Sequence, residues 1–269
     1  MGAHRTPPYS PVLQRGNPLA RRLLHAAIFS QKGYRKDAVV DDFVGRDSRT
    51  NRQGRAANGV SFLYQSTPFG RSFRGSVGVT EILKWADANN EFDTSRGITA
   101  FVALKPLSID QPVVAVAYSK RDTSGGAAAA GWEIQTTTAP SPDTWNVQIA
   151  DGATLVGVSS VTGLSLTRED IVCFRVDPER TALSIWVNGV KETTTATAVV
   201  PGNNAFDLRS FNTFEGFINC CALWNRPISD AEIRSLYTDP YRLWRPMPWR
   251  SKFTEGIGSA AKSNFFLTF

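Results

Sequence analysis

The sequence predicts an all-β protein, an antiparallel β-sandwich jelly roll with one short C-terminal helix and extended arms at both ends. Three observations predict it. From residue 98 onward, short β-branched and aromatic runs recur at close intervals between clusters of Pro, Gly, Asn and Asp. Two of the intervening turns carry hairpin signatures, which make their flanking strands antiparallel. No crossover helices separate the runs, so a parallel α/β sheet is excluded and about eight to twelve strands are expected.

The elements follow in order. Residues 1–18 hold Pro7, Pro8, Pro11 and Pro18, which deny helix and remove backbone donors, so this stretch reads as an extended arm. An apolar first strand lies within residues 19–29. The chain up to residue 97 is less periodic. Residues 80–90 read as a second short helix, and Phe43, Phe62, Phe69 and Phe73 are expected to pack into the sandwich. Residues 98–105 and 113–118 are strands bounded by Pro106 and Pro112, and the Gly-Gly-Ala run after Asp122 is a loop. Residues 132–135 and 145–149 alternate apolar with polar, so each predicts a strand with one wet face. Residues 171–176 and 183–187 flank Asp177-Pro178, where Pro presets φ and Asp accepts backbone N–H bonds. Asn188-Gly189 is the signal of a two-residue type I′ hairpin. Residues 214–224 form a late strand ended by Asn225-Arg226-Pro227. Ser229 and Glu232 stand in capping-box relation, Ile228 and Ile233 can staple, and Pro240 follows, which predicts a helix over 229–237 with Ile233 and Leu236 inward.

Composition narrows the class. The 269 residues are 42% hydrophobic and 20% charged, enough to bury a full core and too apolar for disorder. No run reaches the roughly 18 uninterrupted apolar residues of a membrane span, so a soluble protein with no membrane partner is expected. Cys173, Cys220 and Cys221 sit in apolar runs and read as buried thiols; adjacency places Cys220 and Cys221 on opposite strand faces. Residues 1–60 carry 11 Lys and Arg against 4 Asp and Glu, whereas residues 61–269 carry 19 against 20. The arginines are interleaved with Asp37, Asp41, Asp42 and Asp47, which disfavours nucleic acid and favours an acidic protein neighbour.

Four features then occur in a known order. They are Asn17-Pro18-Leu19 before the first strand, Trp186-Val187-Asn188-Gly189 at a central hairpin, Gly216-Phe217-Ile218 opening a late strand, and Leu223-Trp224-Asn225-Arg226-Pro227-Ile228-Ser229-Asp230-Ala231-Glu232-Ile233. This order resembles the laminin-G-like, concanavalin A-like lectin jelly rolls over about residues 17–246, and residues 239–246 resemble versions encoded by tailed bacteriophages. The resemblance implies a domain at 19–245, with the arm at 1–18 and a tail at 246–269. It also implies that residues 19–29 pair beside 214–224, so that both termini leave from one end. The family holds sugar binders, adhesion modules, enzyme accessory domains and virion proteins, so fold is specified more than function.

Catalytic chemistry finds no carriers. The Glu-x-Asp-x-x-Glu strand pattern that sets two carboxylates across a glycosidic bond is absent, and Glu133 stands alone beside Trp132. His4 lies in the arm and His25 in an apolar run, so neither a Ser-His-Asp relay nor an HExxH site has partners. Residues 141–145 resemble part of a sialidase Asp-box without its Gly, and a turn into a strand explains them. No catalytic residue, cofactor or metal site is expected; Asp122 and Asp151 offer one oxygen each.

Binding has candidates. Glycans are held by aromatic platforms and side-chain amides, which points to Trp132, Trp145 and Asn146, although a core place is favoured for both tryptophans. Trp145 and Val147 share one strand face, so a buried Trp145 puts Asn146 and Gln148 on the surface. Partner contacts are expected in the arm at Pro7, Pro8, Tyr9 and Arg15, and in the tail at Trp249, Arg250, Phe253, Phe265, Phe266 and Phe269. The expected function is a noncatalytic structural protein of a tailed-phage virion, made in the host cytoplasm. It would be a capsid decoration or cement protein, or another head or tail surface protein, joined to phage structural proteins through both termini and homo-oligomeric. The alternative is a carbohydrate-binding adhesin module for host-surface glycans.

Overall fold

The computed structural model describes residues 12–29, 40–41, 44, 53–56, 63–67, 70–75, 83–87, 92, 94, 97–111, 114–121, 129–137, 141–177, 179, 181–204 and 206–245, with backbone alone at 40–41, 53–56, 63–67, 70–75 and 211–212. Two antiparallel sheets face each other. The first contains, in spatial order, β14 (Val190–Ala196), β13 (Ala182–Val187), β12 (Asp170–Asp177), β7 (Ile98–Pro106), β16 (Gly216–Trp224), β5 (Gly70–Gly75) and β4 (Leu63–Thr67), with β1 (Leu23–Ile28) also on β16. The second runs β11 (Leu155–Gly163), β10 (Thr144–Ala150), β9 (Gly131–Thr136), β8 (Val116–Arg121), β15 (Leu208–Asn212), β6 (Leu83–Trp85), β3 (Gln53–Ala56) and β2 (Val40–Asp41).

The core lies between the sheets. Ile98, Ala100, Val102 and Leu104 of β7 meet Tyr118, Trp132, Ile134, Trp145, Val147 and Ile149 from across the gap. The central strands of the first sheet read as continuous apolar runs because both of their faces are covered. Phe101, Cys173, Trp186, Cys220 and Trp224 face outward into a second apolar cluster, closed by Leu19, Ile233, Leu236, Tyr241, Leu243 and Trp244. Cys220 therefore joins the outer cluster and Cys221 the core, as adjacency on a strand requires.

That outer layer is built from helix α1 (Asp230–Thr238), a 3₁₀ turn at Pro18–Ala20 and residues 241–244. The capping box forms: Ser229 Oγ accepts from Glu232 N–H, and Glu232 accepts from Ser229 N–H at 2.7 Å. Ile228 and Ile233 are both buried. At the Asn188-Gly189 turn, φ is +54° and +79°, the left-handed pair that a type I′ hairpin requires. A Cβ on Gly189 would also sit 2.8 Å from the Tyr237 ring.

First and last strands close the sandwich, with Ala26 opposite Ala222 and Ile28 opposite Cys220. The chain before β1 docks beside the end of α1: Gln14 N–H donates to Leu243 O at 2.9 Å, and the Asn17 amide donates to Arg242 O at 3.0 Å. Asn17 Oδ1 caps the 3₁₀ turn by accepting from Leu19 N–H, so the extended reading of the arm gives way to a docked turn from Leu13 onward. At the far edge, Glu192 of β14 accepts from the N–H groups of Val161 and Thr162 on β11 and clasps the two sheets together.

Three expectations are corrected. Residues 83–85 form strand β6 rather than part of a helix, because Leu83 and Trp85 alternate into the core around an outward Lys84. Strand β8 begins at Val116, three residues later than its apolar run suggests. Strand β9 has no wet face, since Glu133 and Gln135 are only 3% and 6% exposed. Phe43, Phe62 and Phe69, and the side chain of Phe73, lie outside the described residues.

Candidate functional site

The two outer faces of the sandwich differ in chemistry. The first sheet's is sealed by α1 and the terminal turns, whereas the second sheet's carries polar side chains across β8 to β11. Alternation puts Tyr118, Trp132, Ile134, Trp145 and Val147 inward, which leaves Ser119, Arg121, Glu133, Gln135, Asn146, Gln148 and Ser159 outward. Register arranges them in rows. Ser119, Glu133, Gln148 and Gly157 lie opposite one another in sequence across four strands, and Gln135, Asn146 and Ser159 form the adjacent row.

Side-chain hydrogen bonds run along each row. Arg121 Nη1 donates to Glu133 Oε1 at 2.5 Å and to Gln148 Oε1 at 2.8 Å, while its Nε donates to Ala129 O at 3.2 Å. Gln135 Nε2 donates to Asn146 Oδ1 at 3.0 Å, and Asn146 Nδ2 donates to Ser159 Oγ at 2.9 Å. Exposure grades across the strands in both rows: the Arg121–Glu133 pair and Gln135 are buried, Asn146 and Gln148 are half-buried, and Gly157 and Ser159 are exposed. Burial pushes the Glu133 carboxyl above the usual carboxylate range even with Arg121 beside it.

The exposed end has donors to spare. Gln148 receives through Oε1 and keeps both amide hydrogens, and Ser159 receives from Asn146 and keeps its hydroxyl hydrogen. Gly157 lies between them without a side chain; a Cβ there would approach Asn146 Nδ2 and Gln148 Cγ to 3.7 Å each, so its absence leaves a shallow recess. A fixed set of donors in a recess suits a ligand rich in hydroxyl or other acceptor oxygens. Two-carboxylate chemistry is not formed here by the described residues, because the cross-strand neighbours of Glu133 are Ser119 and Gln148.

Asn146 stands on this face; the other two glycan candidates do not. Trp132 is 1% exposed, with Tyr118 and Phe174 rings 5.0 and 5.4 Å away. Trp145 is 0% exposed, and its Nε1 donates to the buried Asp170 carboxylate at 3.2 Å. Both are corrected to core residues: the largest apolar side chains occupy the inward positions of their strands, so neither offers a stacking surface. Arg15 is exposed beside the docked turn, whereas Pro7, Pro8, Tyr9, Trp249, Arg250, Phe253, Phe265, Phe266 and Phe269 lie outside the described residues. Asp143 Oδ2 accepts from Gln111 N–H at 2.7 Å, so the Asp-box-like segment serves a turn. Asp151 accepts from Ala153 and Thr154 N–H within its own loop, and Asp122 is outside the described residues. Sequence reasoning missed Arg121 and Ser159, which become neighbours of Asn146 and Gln148 only through register.

No family model and no curated protein matches the sequence. Solved structures do match. The binding domain of a Paraclostridial Mosquitocidal Protein 1 superposes with a TM-score of 0.61 at 12% identity, covering 81% of this chain and 52% of that one. The binding domain of botulinum neurotoxin DC in complex with rat synaptotagmin II gives 0.58 at 12% identity, with 81% and 51% covered. A botulinum neurotoxin type C structure, described by its dependence on two ganglioside molecules for cell entry, gives 0.58 at 10%, with 81% and 51% covered. A Trypanosoma rangeli sialidase gives 0.54 at 14%, with 81% and 33% covered. The likeness shows the fold. The chain spans about half the length of the toxin binding domains and a third of the sialidase chain.

Proposed function

We propose that this protein is a noncatalytic glycan-binding module whose contact surface is the exposed outer face of β10 and β11. The carrying observation is a pair of hydrogen-bonded sets, Arg121 with Glu133 and Gln148, and Gln135 with Asn146 and Ser159, each running from buried to more exposed positions and holding the Gln148 amide and the Ser159 hydroxyl in place with unused donors. Fixed donors lose little freedom on binding, which suits a weakly bound, hydroxyl-rich ligand. Support also comes from neighbours in fold whose descriptions name a binding domain or an interaction with gangliosides. The reading as no enzyme rests on the face's single described carboxylate, already committed to Arg121.

A screen of the full-length chain against a broad glycan array tests the proposal. Binding is expected, and Gln148→Ala and Ser159→Ala should each weaken it about fivefold, the worth of one hydrogen bond. An array with no hits, or hits unaffected by both variants, would remove this reading.

A second reading, a virion surface protein of a tailed phage joined to its particle by both arms, is supported by the bonds from Gln14 and Asn17 to Leu243 and Arg242. These bonds bring Gln14 and Asn17 beside Arg242 and Leu243, near the two ends of the described chain. Removing both segments should leave the sandwich folded and abolish its incorporation into particles; normal incorporation would sink this reading.

A further inference from the structure

The outer face of the second sheet continues beyond β8, and its chemistry changes there. On β6 and β15, Lys84 and Arg209 are directly opposite in antiparallel register, and Arg55 holds the register position across from Lys84 on β3. Leu83, Trp85 and Leu208 enter the core, so Lys84 and Arg209 both point outward. Like charges directly opposite on a sheet repel, and such a pair normally acquires an acid. None is supplied among the described residues: neither cation belongs to an ion pair there, Asp207 forms none with Arg209, and Glu133 is held by Arg121. Arg209 Nε is buried and has no hydrogen-bond partner. Its guanidinium lies 5.9 Å from the centre of the half-buried Phe206 ring.

We propose that Lys84 and Arg209 form an oxyanion subsite that takes the carboxylate or sulfate ester of an acidic saccharide, with the sugar ring against Phe206. This rests on the glycan-binding reading and adds a ligand class to it. An oxyanion removes the repulsion between the two cations and gives Arg209 Nε an acceptor, in the fork geometry that guanidinium offers to two oxygens. Phe206 supplies the apolar face on which the C–H side of a pyranose packs. The subsite is separate from the amide recess, because Arg209 and Gln148 are three strands apart, about 14 Å.

Fluorescence anisotropy with three labelled tetrasaccharides of equal length, one sulfated, one carrying uronic acids and one neutral, tests the subsite on the full-length chain. At least one acidic tetrasaccharide should bind about tenfold tighter than the neutral one, the worth of a charge-assisted hydrogen bond, and the advantage should shrink with added salt. Arg209→Gln and Lys84→Gln should each abolish it, and Arg209→Lys should keep only part. Whichever acid binds identifies the group. Acidic and neutral sugars binding alike, with Arg209→Gln indifferent and Gln148→Ala still harmful, would overturn the subsite and leave the glycan reading intact. If no saccharide binds, the Arg209 Nε–H nuclear magnetic resonance signal is followed during titration with inorganic sulfate. A saturating shift then upholds the anion site and ends the glycan reading, and no shift ends both.

Discussion

Trp145 and Gln148 sit three residues apart on one strand and have opposite fates, because alternation sends one inward and the other out. Trp145 fills the core and donates its indole N–H to Asp170 Oδ2, while Asp170 Oδ1 accepts from Arg168 Nε and Asn188 Nδ2. Trp145→Phe should therefore cost about 1–2 kcal/mol in denaturant unfolding, from a lost hydrogen bond and a small void, and leave glycan affinity unchanged. Gln148→Ala should do the reverse. Glu133 predicts a pH effect. A carboxyl raised by burial binds its proton more tightly folded than unfolded, so its contribution is full below the ordinary carboxylate range and is lost as pH rises through the raised value. Glu133→Gln should flatten that decline in a plot of unfolding free energy against pH. The alternation was legible in the sequence, but the burial of Glu133 was not, because its partner Arg121 arrives from a strand on the other side of a long loop.

Helix α1 and the β13–β14 turn were readable almost to the residue, since a capping box and an Asn-Gly pair are local signals that neighbouring strands do not override. Their energetics are correspondingly local. Ser229→Ala removes the N-cap acceptor and should cost about 1 kcal/mol. Partial burial draws the Glu232 carboxyl upward, but hydrogen bonds from Arg226 and Ser229 outweigh it and hold it below the usual range. A lowered acid stabilises the fold when ionised, so this contribution persists above the ordinary carboxylate range and fades as pH falls through the depressed value. Glu232→Gln should flatten the acid side of the stability curve. Gly189→Ala must adopt φ near +79° and meet the Tyr237 ring, and should cost about 1–2 kcal/mol or more in thermal unfolding. Strand β6 shows where local reading fails: three residues cannot display a period, and only pairing with β15 and β3 fixes them as strand.

At the scale of the molecule, the sandwich is asymmetric. The central strands of one sheet are covered on both faces, by the core and by a layer made from α1 and the segments flanking β1 and α1; the other sheet carries polar side chains on its outer face, buried on β8 and β9 and open to solvent toward β10 and β11. The pairing of β1 with β16 was legible only through the family resemblance, which implies a first strand beside the last, whereas the order of the strands between them depends on contacts far apart in sequence. That order decides which polar residues become neighbours, so the fold class was readable and the site was not. Mapping amide chemical-shift changes as a bound saccharide is titrated into the full-length protein tests the placement of function on this surface most directly. The largest shifts are expected at Asn146 to Gln148 and Gly157 to Ser159. Shifts confined to the Asn188-Gly189 turn, to α1 or to the docked segment near Gln14 would contradict that placement.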